Sequence, residues 1–186
     1  MGQTMLTIGA IMLLGVTVLN TNRSSLQHGA IIAVTEVGIY ASSLAQAKIE
    51  EAESKAFDEF SASDTLGSGD VITDLTQLAT TLGRETGEVY PDDGVHPRFD
   101  DFDDYNYYSG NNPYRLYVPG VDTFRIQTTV FYVDTANPQA AAGTRTWHKK
   151  MIVKVWPTVT PWGEDKAQSR PDTVTMSYIY SYWWFR

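Results

Sequence analysis

A run of aspartates between residues 92 and 104 is the part of the chain best suited to metal chemistry. Carboxylate oxygens are the ligands that hard cations such as calcium prefer. The run lacks the spaced aspartates, glycine and downstream glutamate of an EF-hand loop. The favoured interpretation is a solvated acidic turn with no bound cofactor, pinned to a sheet by Phe99, Phe102 and Tyr105, and calcium binding is the alternative. The aspartates are Asp92, Asp93, Asp100, Asp101, Asp103 and Asp104, of which the last four are the candidate calcium ligands.

Other residues with catalytic potential form no recognisable constellation. Paired carboxylates hydrolyse glycosidic bonds only with a substrate cleft and one carboxyl of raised pKa, and a crowd of exposed aspartates indicates neither. His28, His96 and His148 are far apart and have no partner at metal-ligand spacing. No nucleophile-elbow, Walker or dinucleotide glycine motif occurs in the sequence. We expect that the protein is not an enzyme.

The composition narrows the class of partner. A chain of 186 residues can form one globular domain and an appendage. Its formal net charge of -8 disfavours nucleic acid and an anionic lipid surface, because both demand a basic face. Cysteine is absent, which excludes disulfides, zinc knuckles and thiol nucleophiles. Stiffness must therefore come from packing or assembly.

The elements that position these residues begin with an uncharged N-terminal segment. Residues 1–22 carry no charged side chain, and their apolar run is marginal for a bilayer crossing, which takes about 20 residues. Gly9, Ala10 and Gly15 allow another helix to approach closely. We therefore interpret residues 1–25 as a membrane or filament-core helix. Its predicted assembly core consists of Met5, Leu6, Ile8, Ile11, Met12, Leu13, Leu14, Val16, Val18 and Leu19.

Helical periodicity resumes after a polar stretch and makes residues 26–60 an amphipathic continuation of this helix. A helix over residues 3–58 would be about 80 Å long, so we expect part of it to protrude. Asparagine and serine side chains compete with the backbone for hydrogen bonds. We therefore expect residues 15–25 to be partly non-helical in an assembled state.

The remainder of the chain divides into a loop-rich region and a sheet. Residues 61–120 are rich in turn formers, with one short helix predicted over residues 71–82. Residues 121–186 show strand alternation at 124–133, 146–156 and 173–185. The predicted fold class is α+β, with a long protruding N-terminal helix whose second half packs on a small antiparallel sheet.

The chain ends in a group of aromatic residues. Tyr178, Tyr180 and Tyr182 share the predicted core face of the last strand, whereas Trp183 and Phe185 fall on the opposite face. Bulky apolar side chains that would stay wet in a monomer often mark an interface. We predict that Trp183 and Phe185 contact a neighbouring subunit, with carbohydrate stacking as the alternative.

Three stretches together resemble the type IV pilin and pseudopilin superfamily, in its minor-pilin-like branch. GQTMLT at residues 2–7 resembles the prepilin-peptidase site, with Met1, Gly2 and Gln3 as candidate processing residues. LAQAKIEEA at residues 44–52 and FDDFDDYN at residues 99–106 resemble a helix stretch and an acidic-aromatic loop of the same branch. The resemblance implies a filament whose core is a bundle of N-terminal helices.

The chain departs from the superfamily pattern at the glutamate near the mature N-terminus. That position falls on Thr7 if cleavage follows Gly2, and on Met5 if Met1 is the mature first residue. A basic leader is also missing, and we expect Met1 to be the mature N-terminus. In the superfamily the glutamate pairs with the N-terminal amine of a neighbouring subunit, so this chain needs another register device. The hydroxyls of Thr4 and Thr7 are the candidates.

From this resemblance we expect a structural subunit that waits in the inner membrane and then polymerises with copies of itself. Pilus or secretion assembly machinery would deliver it to an extracellular filament at the cell surface. The alternatives are a membrane-tethered binding module that never polymerises and a pseudopilin of a secretion system.

Overall fold

The computed structural model describes residues 2–62, 71–88, 99–108, 113–158 and 173–182. Within them the fold is α+β, as predicted, because one long helix, α1 (Gly2–Glu53), is followed by an antiparallel sheet of five strands. The chain divides into two compact units, Met1–Ile39 and Tyr40–Arg186. The N-terminal part of α1 belongs to the first unit, and the rest of α1 and the sheet belong to the second.

α1 is continuous through residues 15–25, so the non-helical stretch predicted there is wrong for this structure. Thr17 Oγ1 donates a hydrogen bond to Leu13 O over 2.7 Å, and Thr21 Oγ1 donates to Thr17 O over 2.9 Å. These hydroxyls bond to carbonyls one turn earlier, so they add to the helical hydrogen bonds instead of replacing them.

The sheet confirms the predicted strands and adds two more. The strand predicted at 124–133 lies within Asp122–Asp134, the strand predicted at 146–156 is formed from His148 to Pro157, and the strand predicted at 173–185 is formed from Val174 to Ser181. The strand order is β1 (Tyr114–Val118), β2 (Asp122–Asp134), β4 (His148–Pro157) and β5 (Val174–Ser181), and β3 (Asn137–Ala141) pairs with β2.

β1 and β3 fall outside the predicted strands. β1 alternates half-buried and exposed side chains, but five residues are too few to give a clear periodic signal. It is joined to β2 by a tight turn in which Gly120 adopts a φ of +81°. β3 contains Pro138, a residue that normally argues against a strand.

The helix predicted over residues 71–82 is wrong. Within that stretch the structure forms only the 3₁₀ turn Leu75–Gln77, which the side chain of Asp74 caps. Ile72 is fully buried, and its backbone N–H donates to Tyr182 Oη over 2.9 Å. This segment therefore uses its backbone groups in turns and tertiary contacts, where a helix would use them internally.

The C-terminal part of α1 covers the sheet, as predicted. Its buried side is lined by Ala41, Ala45, Ile49 and Ala52. The Lys48 ammonium lies 5.6 Å from the ring centroid of Tyr114 on β1. The apolar side chains that the sheet buries include Phe124, Ile126, Val130, Tyr132, Val133, Met151, Val153 and Val155.

Candidate functional site

The N-terminal part of α1 carries exposed apolar side chains around its whole circumference. The predicted assembly residues range from 55% exposed at Ile8 to 78% exposed at Met5. Successive helical residues are about 100° apart, so Leu13, Leu14 and Val16 point in three different directions. A helix that is apolar all round is normally buried in a protein core or a membrane. We call the exposed apolar side chains of residues 5–39 the apolar helix surface.

The apolar helix surface continues beyond the predicted assembly core, which ends at Leu19. Arg23 and Glu36 are the only acidic or basic residues besides His28 between residues 2 and 39. From Gly2 to Ile39 the helix extends for about 55 Å, at about 1.5 Å per residue. The additional exposed side chains are Leu26, Ile31, Ile32, Val34 and Ile39.

Polar groups within this surface bond to their own helix. Thr7 Oγ1 lies 2.9 Å from Thr4 O and 3.2 Å from Gln3 O, and Thr35 Oγ1 donates to Ile31 O over 2.8 Å. An apolar cover therefore leaves these hydroxyl protons satisfied. Gly9 and Ala10 open a shallow groove beside Leu6, Leu13, Leu14 and Thr17, as suits close approach of another helix.

Several predicted site residues lie elsewhere. Gly2 and Gln3 form the first turn of α1. His28 is exposed on α1, and His148 Nδ1 lies 2.7 Å from Ser181 Oγ on the neighbouring strand. Outside the described residues lie Met1, Asp92, Asp93, His96, Trp183 and Phe185.

Residues 99–108, which we call the acidic loop, are largely buried, so the predicted solvated turn is wrong. Asp101, Asp103 and Asp104 are at most 1% exposed. Asp101 Oδ1 accepts hydrogen bonds from the backbone N–H groups of Asp103 and Asp104, over 2.8 and 3.0 Å. The predicted anchoring by aromatic side chains is confirmed, because Phe99, Phe102 and Tyr105 are buried.

A buried lysine, which the sequence does not mark as a site residue, neutralises part of this acidic charge. Lys149 on β4 is fully buried, and its Nζ donates to Asp58 Oδ2 over 2.8 Å, to Phe57 O over 2.6 Å and to Asp103 Oδ1. Burial by itself lowers the pKa of Lys149, but Asp103, Asp101 and Asp58 outweigh burial and raise that pKa. Lys149 therefore stays charged and joins β4 to two other segments.

Two groups of carboxylates are close enough to share a cation. Of the predicted calcium ligands, Asp100 and Asp104 belong to these groups, whereas Asp103 contacts Lys149 and Asp101 accepts from backbone amides. The other members are glutamates outside the aspartate run, which is why the sequence pattern misses them. Within each group the ligand atoms lie within 4.8 Å of one another, and the groups are Glu59, Glu88 and Asp100, and Glu85, Glu88 and Asp104.

By length and composition, α1 is the one helix in the described part of the chain that could cross a membrane. The core helix of a soluble protein passes the same test, but none of the apolar window of α1 is buried. The helix is thus compatible with a membrane anchor or a signal segment. No protein-family model, curated protein or solved structure matches the chain.

Proposed function

We propose that this chain is a structural subunit of a type IV pilus-like extracellular filament, polymerising through the apolar helix surface. The exposure of that surface is the observation that carries the proposal. Fully burying one large apolar side chain contributes about 1.5–3 kcal/mol. Burial of the predicted assembly core would therefore contribute on the order of 15–30 kcal/mol. Apolar side chains in this number are stable only when protein or lipid shields them from water.

The length of the apolar helix surface favours copies of the same chain as that cover. A bilayer core is about 30 Å thick, whereas the surface extends for about 50 Å along α1. A membrane would leave exposed apolar residues such as Ile32, Val34 and Ile39 outside its core. Helices of neighbouring subunits can cover the whole length.

Assembly then exchanges lipid contacts for helix contacts. Before assembly the subunit would reside in the inner membrane through residues 1–22. Lipid tails are as apolar as leucine, so the gain comes from packing and not from leaving water. The groove at Gly9 and Ala10 provides a place for such packing, and assembly machinery would carry out the transfer.

The Thr7 hydroxyl can serve as the register device. Its hydrogen atom can be donated to Gln3 O or Thr4 O within the same helix. The lone pairs of Thr7 Oγ1 remain able to accept from the N-terminal ammonium of a neighbouring subunit. This hydrogen bond would take the place of the pairing that the glutamate of the pilin pattern makes with the N-terminal amine of a neighbouring subunit.

The second candidate is a membrane-tethered binding module that never polymerises, favoured by the ability of α1 to cross a bilayer. Val34 and Val71 separate the two functions, because both valines are 57% exposed and only Val34 lies on the apolar helix surface. We expect Val34→Asp to abolish fibres while the chain remains in the membrane fraction. We expect Val71→Asp to leave fibres unchanged.

The measurement is electron microscopy of material sheared from cells, with mass analysis of the fibre subunit. Long fibres of this chain that disappear with Val34→Asp and persist with Val71→Asp support the filament. A wild-type chain found only as a membrane-fraction monomer would instead establish the tethered module. An unchanged melting temperature for both variants shows that the sheet domain, the compact unit Tyr40–Arg186, still folds.

A further inference from the structure

Glu85, Glu88 and Asp104 bring three carboxylates together beside the acidic loop. One oxygen from each lies within 4.8 Å of the others. The segment before them is held to the loop, since Gly83 N donates to Asp103 Oδ2 over 3.3 Å. We call these three side chains the carboxylate cluster.

In each fully buried member of the carboxylate cluster, one oxygen accepts a backbone hydrogen bond and the other has no partner among the described residues. Glu88 is 0% exposed, and its Oε2 accepts from Glu85 N over 3.0 Å while Oε1 has no hydrogen-bond partner among the described residues. Asp104 is also 0% exposed, and its Oδ2 accepts from the backbone N–H groups of Asp100 and Asp101, while Oδ1 has no partner within the part of the chain that the structure describes. Backbone amides thus fix both carboxylates through one oxygen each and leave the other oxygen of each available as a ligand.

Carboxylates in this position need a proton or a cation. A buried polar atom without a partner costs free energy, and a buried charge costs more. Burial, followed by the charge of Glu88, raises the pKa of Glu85 to about 7. Burial, followed by the neighbouring Glu88 side chain, raises the pKa of Asp104 to about 9. The buried ammonium of Lys149 is already engaged with Asp58 and Asp103.

We propose that Glu85, Glu88 and Asp104 form a binding site for a divalent cation, and that this cation is calcium. All three ligands are hard carboxylate oxygens, which calcium prefers, whereas zinc sites are built mainly from nitrogen and sulfur ligands. Calcium binds oxygen at 2.3–2.6 Å, so two of its ligands lie at most about 5 Å apart, and the cluster meets that limit.

Calcium fits this cluster better than magnesium does. Magnesium demands a near-ideal octahedron at shorter distances and retains several waters, whereas calcium accepts six to eight oxygens in irregular arrangements. Glu85 is only partly buried, so water can complete the coordination from its side. Bound calcium would fasten the segment carrying Glu85 and Glu88 to the acidic loop.

The test compares the full chain in mild detergent with excess EDTA, with CaCl₂ and with MgCl₂. A hundredfold excess of calcium over its dissociation constant should raise the melting temperature by about 5–10 °C. Magnesium should raise it much less. Glu88→Gln should weaken calcium binding at least tenfold in calorimetric titration, whereas Glu50→Gln, an exposed helix variant, should bind calcium as the wild type does.

Glu88→Gln also provides its own check on folding. It removes one of three crowded carboxylates, so its melting temperature in EDTA should equal or exceed that of the wild type. If this variant fails to fold, Glu85→Gln takes its place. A wild-type melting temperature that calcium leaves unchanged overturns the proposal, because the cluster then holds protons only. Equal calcium responses in the wild type, in Glu88→Gln and in Glu85→Gln would overturn it as well.

Discussion

Replacing Lys149 with methionine should be one of the most destabilising single changes in the sheet domain. The side chain is 0% exposed, and its Nζ contacts Asp58 and Asp103, which are 2% and 1% exposed. Methionine fills a similar volume but leaves two carboxylates buried without their cation. Removing one partner of a buried ion pair costs about 3–5 kcal/mol. In a domain of this size, each kcal/mol lowers the melting temperature by about 2–4 °C.

The assay is guanidinium unfolding of the full chain in detergent, followed by tryptophan fluorescence and repeated at several pH values. Burial raises the pKa of Asp103, and without Lys149 this carboxylate can be neutralised only by a proton, so the loss of stability should shrink as the pH falls toward 4. Lys154→Met is the matched control, because Lys154 is exposed on the opposite face of β4. A Lys149→Met loss below about 1 kcal/mol, or one that grows at low pH, would refute the assignment of a buried charge.

Two further predictions concern pH and backbone conformation. In EDTA, the raised pKa values of Glu85 and Asp104, about 7 and 9, mean that the folded state binds more protons than the unfolded chain. The contribution of these two carboxyl groups to stability should therefore be complete below about pH 4 and be lost as the pH rises through 7 toward 9; a melting temperature that rises over this range contradicts the cluster. Gly120→Ala should lose about 1 kcal/mol because of the positive φ there, whereas Gly143→Ala, without a positive φ, should lose almost nothing in the same denaturation assay.

Strand β4 and its buried lysine show which features the alternation of residues predicts and which it does not. Alternation places Met151, Val153 and Val155 on one face of β4, and all three side chains are buried. Lys149 has the same parity and therefore lies on that face too, which was the available signal for a buried charge. Parity does not identify its partners, because Asp103 and Asp58 lie 46 and 91 residues away along the chain. Only the folded chain brings them together.

The acidic loop shows where residue type misleads. Aspartate is rarely buried unless it is paired, so six aspartates near one another indicate solvent. Here backbone amides bind Asp101 and Asp104, and Lys149 binds Asp103. The carboxylate cluster depends in addition on Glu85 and Glu88, whose distance from Asp104 no spacing rule gives.

The sequence by itself determined the uncharged helix, its continuation into the sheet domain and the α+β class. These features follow from periodicity and composition, which act over a few neighbouring residues. Tertiary structure alone decided that the acidic loop is buried and that Glu85, Glu88 and Asp104 meet, whereas local hydrogen bonds keep α1 unbroken through residues 15–25. The burial of the acidic loop and the meeting of the three carboxylates depend on residues that are distant in the chain, and no local pattern in the sequence specifies those contacts.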